Sequence, residues 1–137
     1  MDTGGPLARK LGIKLDARVT LVSAPGDFEL GELPPGTRVR RRLSGTADSD
    51  VIVAFFVRRA ELERRLPRLK ASLDYAGGLW LSWPKRASGV TTDLGDGPVR
   101  ELGLGIGLVD NKVCAINDTW SGLRFVYRLA DRPVATT

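Results

Sequence analysis

The chain has 137 residues, 42% hydrophobic and 27% charged, and 21 lysines and arginines against 16 aspartates and glutamates give a net charge of +5. That length predicts a single domain over residues 1–137, with enough buried surface to fold without disulfides or metals. There is no histidine and only one cysteine, Cys114, which excludes Ser-His-Asp and Cys-His catalysis, histidine-ligated metals, thiolate zinc sites and internal disulfides.

Asp2, Arg9, Lys10 and Lys14 interrupt every apolar run near the start. That segment reads as neither a secretory signal nor a membrane span, so a soluble cytoplasmic protein is expected. In an N-terminal helical segment over residues 1–15, Pro6 suits a first helical turn, Leu7, Ala8 and Leu11 form a small apolar face, and Gly12 closes the helix. Residues 18–23 (RVTLVS) predict a first strand stopped by Pro25 and Gly26. A short helix or turn over residues 28–33 leads to Pro34-Pro35-Gly36. Residues 37–43 then alternate, with Val39 and Leu43 on one side and Arg38, Arg40 and Arg42 on the other.

Residues 50–57 (DVIVAFFV) are apolar from Val51 onward and rich in β-branched and aromatic residues, as suits a strand covered on both faces at the sheet centre. Over residues 59–73, Leu62, Leu66, Leu69 and Leu73 make one apolar helical face, opposite Glu61, Arg64, Arg65, Arg68 and Lys70. Pro67 predicts a bend or a split in that helix. Gly77-Gly78 introduces a second buried strand, residues 79–83, which carries Trp80 and Trp83 into the core and ends at Pro84. A polar Gly/Ser/Thr loop runs to about Gly97, followed by a helix over residues 98–108. Residues 112–117 and 123–129 predict a hairpin whose turn, residues 118–122, presents Trp120, and residues 130–137 read as a disordered tail.

Taken in order, these elements predict an α/β fold: a small Rossmann-like, mainly parallel sheet flanked by helices, with a C-terminal antiparallel hairpin. One connection is short, because residues 44–49 must serve where a parallel crossover usually takes about a dozen residues. Either that return is a bare loop or the arginine strand runs antiparallel.

Ligands of open α/β sheets bind beyond the carboxyl ends of the strands. The loops expected there carry Asp27, Arg58, Lys85, Arg86, Ser88, Thr91, Thr92, Asp118, Trp120 and Ser121. Lys85, Arg86, Ser88, Thr91 and Thr92, with Gly89 giving a tight backbone, supply charge and hydroxyl donors for a phosphate or carboxylate. Trp120 either folds back on the sheet or offers a stacking surface, with Asp118 and Ser121 as polar handles for a ring. Cys114, alternating inside a strand, reads as a small buried hydrophobe. Arg38, Arg40 and Arg42 read either as a charged guard on an edge strand or as a phosphate-tracking stripe.

The leucine-faced helix, the Gly77-Gly78 pair and the apolar strand within residues 66–83, together with the terminal hairpin, resemble the corresponding parts of class I S-adenosylmethionine-dependent methyltransferases. The resemblance implies a Rossmann-like fold. The chain departs from that family in two places. After the first strand, Ala24-Pro25-Gly26-Asp27-Phe28 lacks the G-x-G of the cofactor loop, and Leu43, Ser44 and Gly45 stand where an acidic residue would hold the ribose. The segments PLARKLGIK, RAELERRLPRL, GGLWLSWPKRASGVTTDL and DNKVCAINDTWSGLRFVYR also resemble an uncharacterised bacterial family, common in actinobacteria, known only as a domain of unknown function. That resemblance implies a small cytosolic Rossmann-like protein and supplies no catalytic residue.

The reading that follows is a non-enzymatic binding or regulatory module, without cofactor, metal or membrane contact, whose rim takes an anionic small molecule or a protein partner. The alternative is a degenerate S-adenosylmethionine-dependent methyltransferase-like enzyme. A third is a nucleic-acid binder acting through Arg38, Arg40 and Arg42.

Overall fold

Strand-forming runs and leucine-faced helical runs alternate along the chain, and pairing the first while covering them with the second gives a single layered arrangement. The computed structural model describes residues 4–133. Helices α1 (Pro6–Leu11), α2 (Arg59–Ser72) and α3 (Asp96–Gly105) alternate with strands β1 (Arg18–Val22), β2 (Arg38–Arg40), β3 (Ser49–Phe55), β4 (Leu73–Pro84), β5 (Leu108–Ala115) and β6 (Trp120–Tyr127). The strands form one sheet in the order β2-β1-β3-β4-β6-β5. β2, β1, β3 and β4 are parallel, and β6 runs antiparallel to both β4 and β5. The fold is therefore the expected α/β class, mostly parallel with an antiparallel C-terminal pair.

Alternation along the strands divides the core in two. Ile52, Ala54, Leu79, Leu81, Leu123 and Phe125 point to one face, where Leu62, Leu66 and Leu69 of α2 and Val99 of α3 cover them. Val19, Leu21, Val51, Val53, Phe55 and Trp80 point to the other, covered by Ala8 and Leu11 of α1 and by Phe28 and Leu30. The Trp80 indole N–H donates to the Leu11 carbonyl at 3.0 Å, which ties α1 to the sheet. Gly12, at φ 82°, ends α1 in the left-handed conformation expected of a closing glycine.

Several local expectations are corrected. The arginine strand is short and parallel to β1, so residues 41–48 make the return as a bare loop. Residues 28–33 form no helix; Phe28 and Leu30 lie buried against the sheet in irregular chain. Pro67 does not split α2, which is continuous from Arg59 to Ser72 because burial of Leu62, Leu66 and Leu69 outweighs the lost hydrogen bond. Gly77 and Gly78 lie inside β4 rather than before it. A Cβ on Gly77 would press on the Ser49 and Asp50 carbonyls, and the pairing of β3 with β4 is irregular at that point. The third helix begins earlier than expected and ends at Gly105, freeing Leu108 to start β5. The hairpin turn is residues 116–119, where the Asn117 side chain accepts from the Thr119 and Trp120 amides at 2.9 Å, so Trp120 and Ser121 belong to β6. Leu129–Asp131 form a 3₁₀ turn, and the rest of the expected tail, residues 134–137, lies outside the described residues.

At the amino ends of the parallel strands, Arg18 donates to Asp50 through its backbone and its guanidinium, at 2.7 and 2.9 Å, and to Asp74 at 3.0 Å. One side chain thus joins β1, β3 and β4. Chiefly through its hydrogen bond, the Arg18 guanidinium holds the Asp50 carboxyl below the usual carboxylate range.

Two outcomes follow. A carboxyl with a depressed folded pKa stabilises the fold above its unfolded value and loses that contribution as pH falls through the folded value. Thermal midpoints should therefore drop between about pH 5 and pH 2, and Asp50→Asn should flatten that drop. Within a helix Gly→Ala usually gains up to about 1 kcal/mol, but a Cβ on Gly103 would stand inside the ring of fully buried Phe125. Gly103→Ala should therefore destabilise by about 1–3 kcal/mol in urea titration, whereas the same change at Gly97, which faces open space, should not.

Candidate functional site

β1 ends at Val22, β3 at Phe55, β4 at Pro84 and β5 at Ala115, while antiparallel β6 begins at Trp120. The loops over residues 56–58, 85–95 and 116–119 and the start of the connection over residues 23–37 therefore meet at one edge of the sheet, as the strand pattern predicts. Ser23, immediately after β1, takes φ 56°, the left-handed conformation that a glycine would adopt at a tight strand-to-loop turn. The chain then folds back, and Phe28 packs edge-on against Phe55 with ring centroids 4.8 Å apart. Phe55 in turn meets Trp120 at 5.1 Å with the rings perpendicular. Of the two possibilities for Trp120, the structure shows the first: it folds back on the sheet. Ser82, paired with Phe55 and Gly122, is buried, and its hydroxyl has no hydrogen-bond partner among the described residues. It escaped the sequence reading, although it is the one polar side chain in the run LWLSW.

The loop after β4 is held by its own side chains. The Ser88 hydroxyl donates to the Lys85 carbonyl at 2.6 Å and accepts from the Val90 amide at 3.2 Å. The Thr92 hydroxyl donates to the Val57 carbonyl at 2.6 Å and accepts from the Leu94 amide at 3.1 Å. Both hydroxyl protons are thus directed to carbonyls of the protein in this structure. Asp93 accepts from the Arg59 amide at 2.7 Å and caps α2, a role its place in a polar loop did not announce.

Between this loop and the end of β4 lies a cleft of about 520 Å³, lined by Trp83, Pro84, Arg86, Thr91, Leu94 and Asp96 among others. Arg86 and Thr91 are exposed there, and Thr92 also lines it. Of the other expected residues, Asp27 is exposed in the β1 loop, Arg58 at the start of α2 and Asp118 in the hairpin turn; Ser121 pairs with Trp83 and Ala115, and none of them lines this cleft. Lys85 is bound through its amide to the Thr119 carbonyl at 2.8 Å and lies outside the lining.

A second cleft, about 480 Å³, opens beside the ends of β1 and β2. Leu21, Phe28, Leu30, Leu33 and Val39 form its apolar wall, with Glu29 and Arg41 as its charged groups. On the neighbouring edge strand, Arg40 donates to Thr20 at 3.4 Å and pairs with Asp48, so the arginine stripe is not a row of free cations. Cys114 is half-buried, and burial pushes its thiol up, against the pull of Lys10 and Lys112. Among the described residues no helix is long and apolar enough to cross a membrane, and no group of carboxylates and cysteine is placed to hold a metal.

No family model matches the chain, and no curated protein matches it in sequence. Solved structures do match in fold. A SAM-dependent methyltransferase from Aquifex aeolicus superposes with a TM-score of 0.56 at 14% identity, covering 90% of this chain and 89% of that one. The Bacillus subtilis tRNA methyltransferase TrmK gives 0.54 at 11% identity, with 89% and 64% coverage. A chain of a fibrillarin/NOP5P complex gives 0.53 at 10%, with 82% and 73%. The chain has a methyltransferase-like fold.

Proposed function

We propose that the chain is a methyltransferase-like protein that binds an S-adenosyl nucleoside at the carboxyl edge of its sheet. The observation that carries this reading is the likeness of nearly the whole chain, 90% of it, to a SAM-dependent methyltransferase. Such a ligand needs an apolar wall for its adenine, an acceptor for the ribose hydroxyls and a cation for its carboxylate. The cleft beside β1 and β2 contains these residue types: Leu21, Leu30, Leu33 and Val39 would hold the ring, Glu29 the hydroxyls and Arg41 the carboxylate. Its volume of about 480 Å³ falls within the range of ligand pockets, about 300–1,000 Å³.

The fit differs from the glycine-loop arrangement. Residues 41–45 contain no acid, so the carboxylate comes from the β1 loop, and Ser23 makes the turn that a first glycine would make. Bound there, the ligand would present a sulfonium methyl to a nucleophile. The chain's own residues would bind and orient it, and Phe28, Phe55 and Trp120 form an aromatic row beside that edge.

A second reading is favoured by Arg86, which is exposed, lines the 520 Å³ cleft and has no carboxylate among the described residues: a non-enzymatic module that binds a small anion or a partner's carboxylate at that rim. Thermal shift and calorimetry with S-adenosylmethionine and its demethylated product separate the two. At a hundred times its dissociation constant a ligand stabilises by about 2.7 kcal/mol, a rise of several degrees. The first reading expects that rise, and expects Glu29→Gln and Arg41→Gln to weaken binding. Flat traces with both compounds would overturn it.

A further inference from the structure

On the sheet face covered by α1, a basic recess of about 240 Å³ is lined by Arg9, Lys10, Gly12, Lys14, Asn111, Lys112 and Arg124. Five of these seven lining residues are cationic and none is acidic. Register puts Trp80, Lys112 and Arg124 on this face, since Arg124 is opposite Trp80 on β4 and Lys112 on β5. Arg124 is the centre of the recess. It is half-buried, and among the described residues its guanidinium has a single acceptor, the Asn111 side-chain oxygen at 3.3 Å. Among the described residues no carboxylate neutralises it, and burial together with the charge of Arg132 pulls its pKa below the usual arginine value. An arginine in this condition lacks the anion that its fork of donors matches.

The surroundings preserve that condition. The carbonyls at the end of α1, which would repel an anion, already accept hydrogen bonds: Lys10 from the Lys112 ammonium at 3.2 Å and Leu11 from the Trp80 indole at 3.0 Å. Lys10 donates to the Ala115 carbonyl at 3.1 Å, which holds its ammonium at the border of the recess. Gly78 leaves the floor bare, for a Cβ there would stand on the Arg124 guanidinium. The missing side chain lets the guanidinium lie on β4 backbone.

We infer that this recess is a phosphate site, which takes the phosphoryl group of a small phosphorylated ligand on Arg124, with Lys112, Lys10 and Arg9 adding charge. It is independent of the S-adenosyl reading and shares no residue with either edge cleft. Its size suits one or two phosphoryl groups, and the lone cations at its border continue the positive field to solvent.

The test is calorimetry of the full chain with pyrophosphate and tripolyphosphate, with a single-stranded RNA oligomer as a second arm. Arg124→Gln should weaken polyphosphate binding at least about tenfold. Gly78→Ala, which leaves net charge unchanged but displaces the guanidinium, should weaken it comparably. Arg64→Gln on exposed α2 removes a charge elsewhere and should change affinity less than about twofold. Melting curves verify that each variant folds, and polyphosphate should raise the midpoint of the parent chain but not of Arg124→Gln. If neither polyphosphate binds, or if Arg64→Gln loses as much as Arg124→Gln, the recess is only part of a diffuse positive field and the inference fails. RNA binding lost in Arg124→Gln, without polyphosphate binding, would also overturn it, in favour of a nucleic-acid surface.

Discussion

Everything in this molecule leans on β4. It is the strand that pairs with parallel β3 on one side and antiparallel β6 on the other, so it joins the two halves of the sheet. It can do so because its side chains are apolar to both faces: Leu79, Leu81 and Trp83 pack towards α2 and α3, and Trp80 towards α1. Trp80 also contributes direction. Its indole N–H must find an acceptor once buried, and the one it finds, the Leu11 carbonyl, sets where α1 lies. The recess around Arg124 exists because α1 lies there, and the 520 Å³ cleft exists because β4 ends at Pro84 and hands the chain to a loop that reaches over Val57.

The distribution of polar partners separates structural from available groups. Ser88, Thr92 and Asp93 spend their hydrogen bonds on the loop and on the start of α2, and Arg18 spends its donors on two carboxylates at the opposite edge. Arg59 and Arg100 are likewise paired, with Glu63, Glu101, Asp96 and Asp110. Arg86, at the rim, and Arg124, on the α1 face, have no carboxylate among the described residues, a condition they share with most arginines of the chain; what sets Arg124 apart is its burial. An exposed arginine such as Arg86 loses little by standing alone in water. A half-buried one such as Arg124 gives up hydration without a counter-charge, which is why its isolation points to a missing anion.

Much of this was legible in the sequence, for physical reasons that vary by element. The run DVIVAFFV leaves few options but a strand covered on both faces, and the leucine spacing of α2 is strong enough to carry Pro67 through. The edge where loops converge followed from strand direction alone. What the sequence hid depended on partners distant in the chain. Ser88 and Thr92 look like free donors until the carbonyls of Lys85 and Val57 are seen beside them. Gly77 and Gly78 look like a turn until β3 and Arg124 are placed against them. The hairpin was misplaced by a few residues because the Asx turn at Asn117 closes it more tightly than five loop residues require. The basic recess was invisible for the same reason, since Arg9, Lys10 and Lys14 are separated from Lys112 and Arg124 by most of the chain.

The departures from the glycine-loop pattern bear on function in a specific way. A glycine after the first strand serves two ends, a tight turn and close approach of backbone to ligand. Ser23 keeps the first, at the strain of a left-handed non-glycine residue. The second is given up, because the chain that follows turns inward and buries Phe28 and Leu30 against the sheet. A ligand at this edge must then be held by side chains on an apolar wall rather than by bare amides, which shifts recognition from the phosphate-like contacts of an amide cradle towards ring packing and a carboxylate–hydroxyl contact. The S-adenosyl nucleoside proposed above carries no phosphate and would suit such an edge. The phosphate-directed chemistry of the same chain lies on the α1 face, where bare backbone at Gly78 serves a guanidinium instead of a ligand.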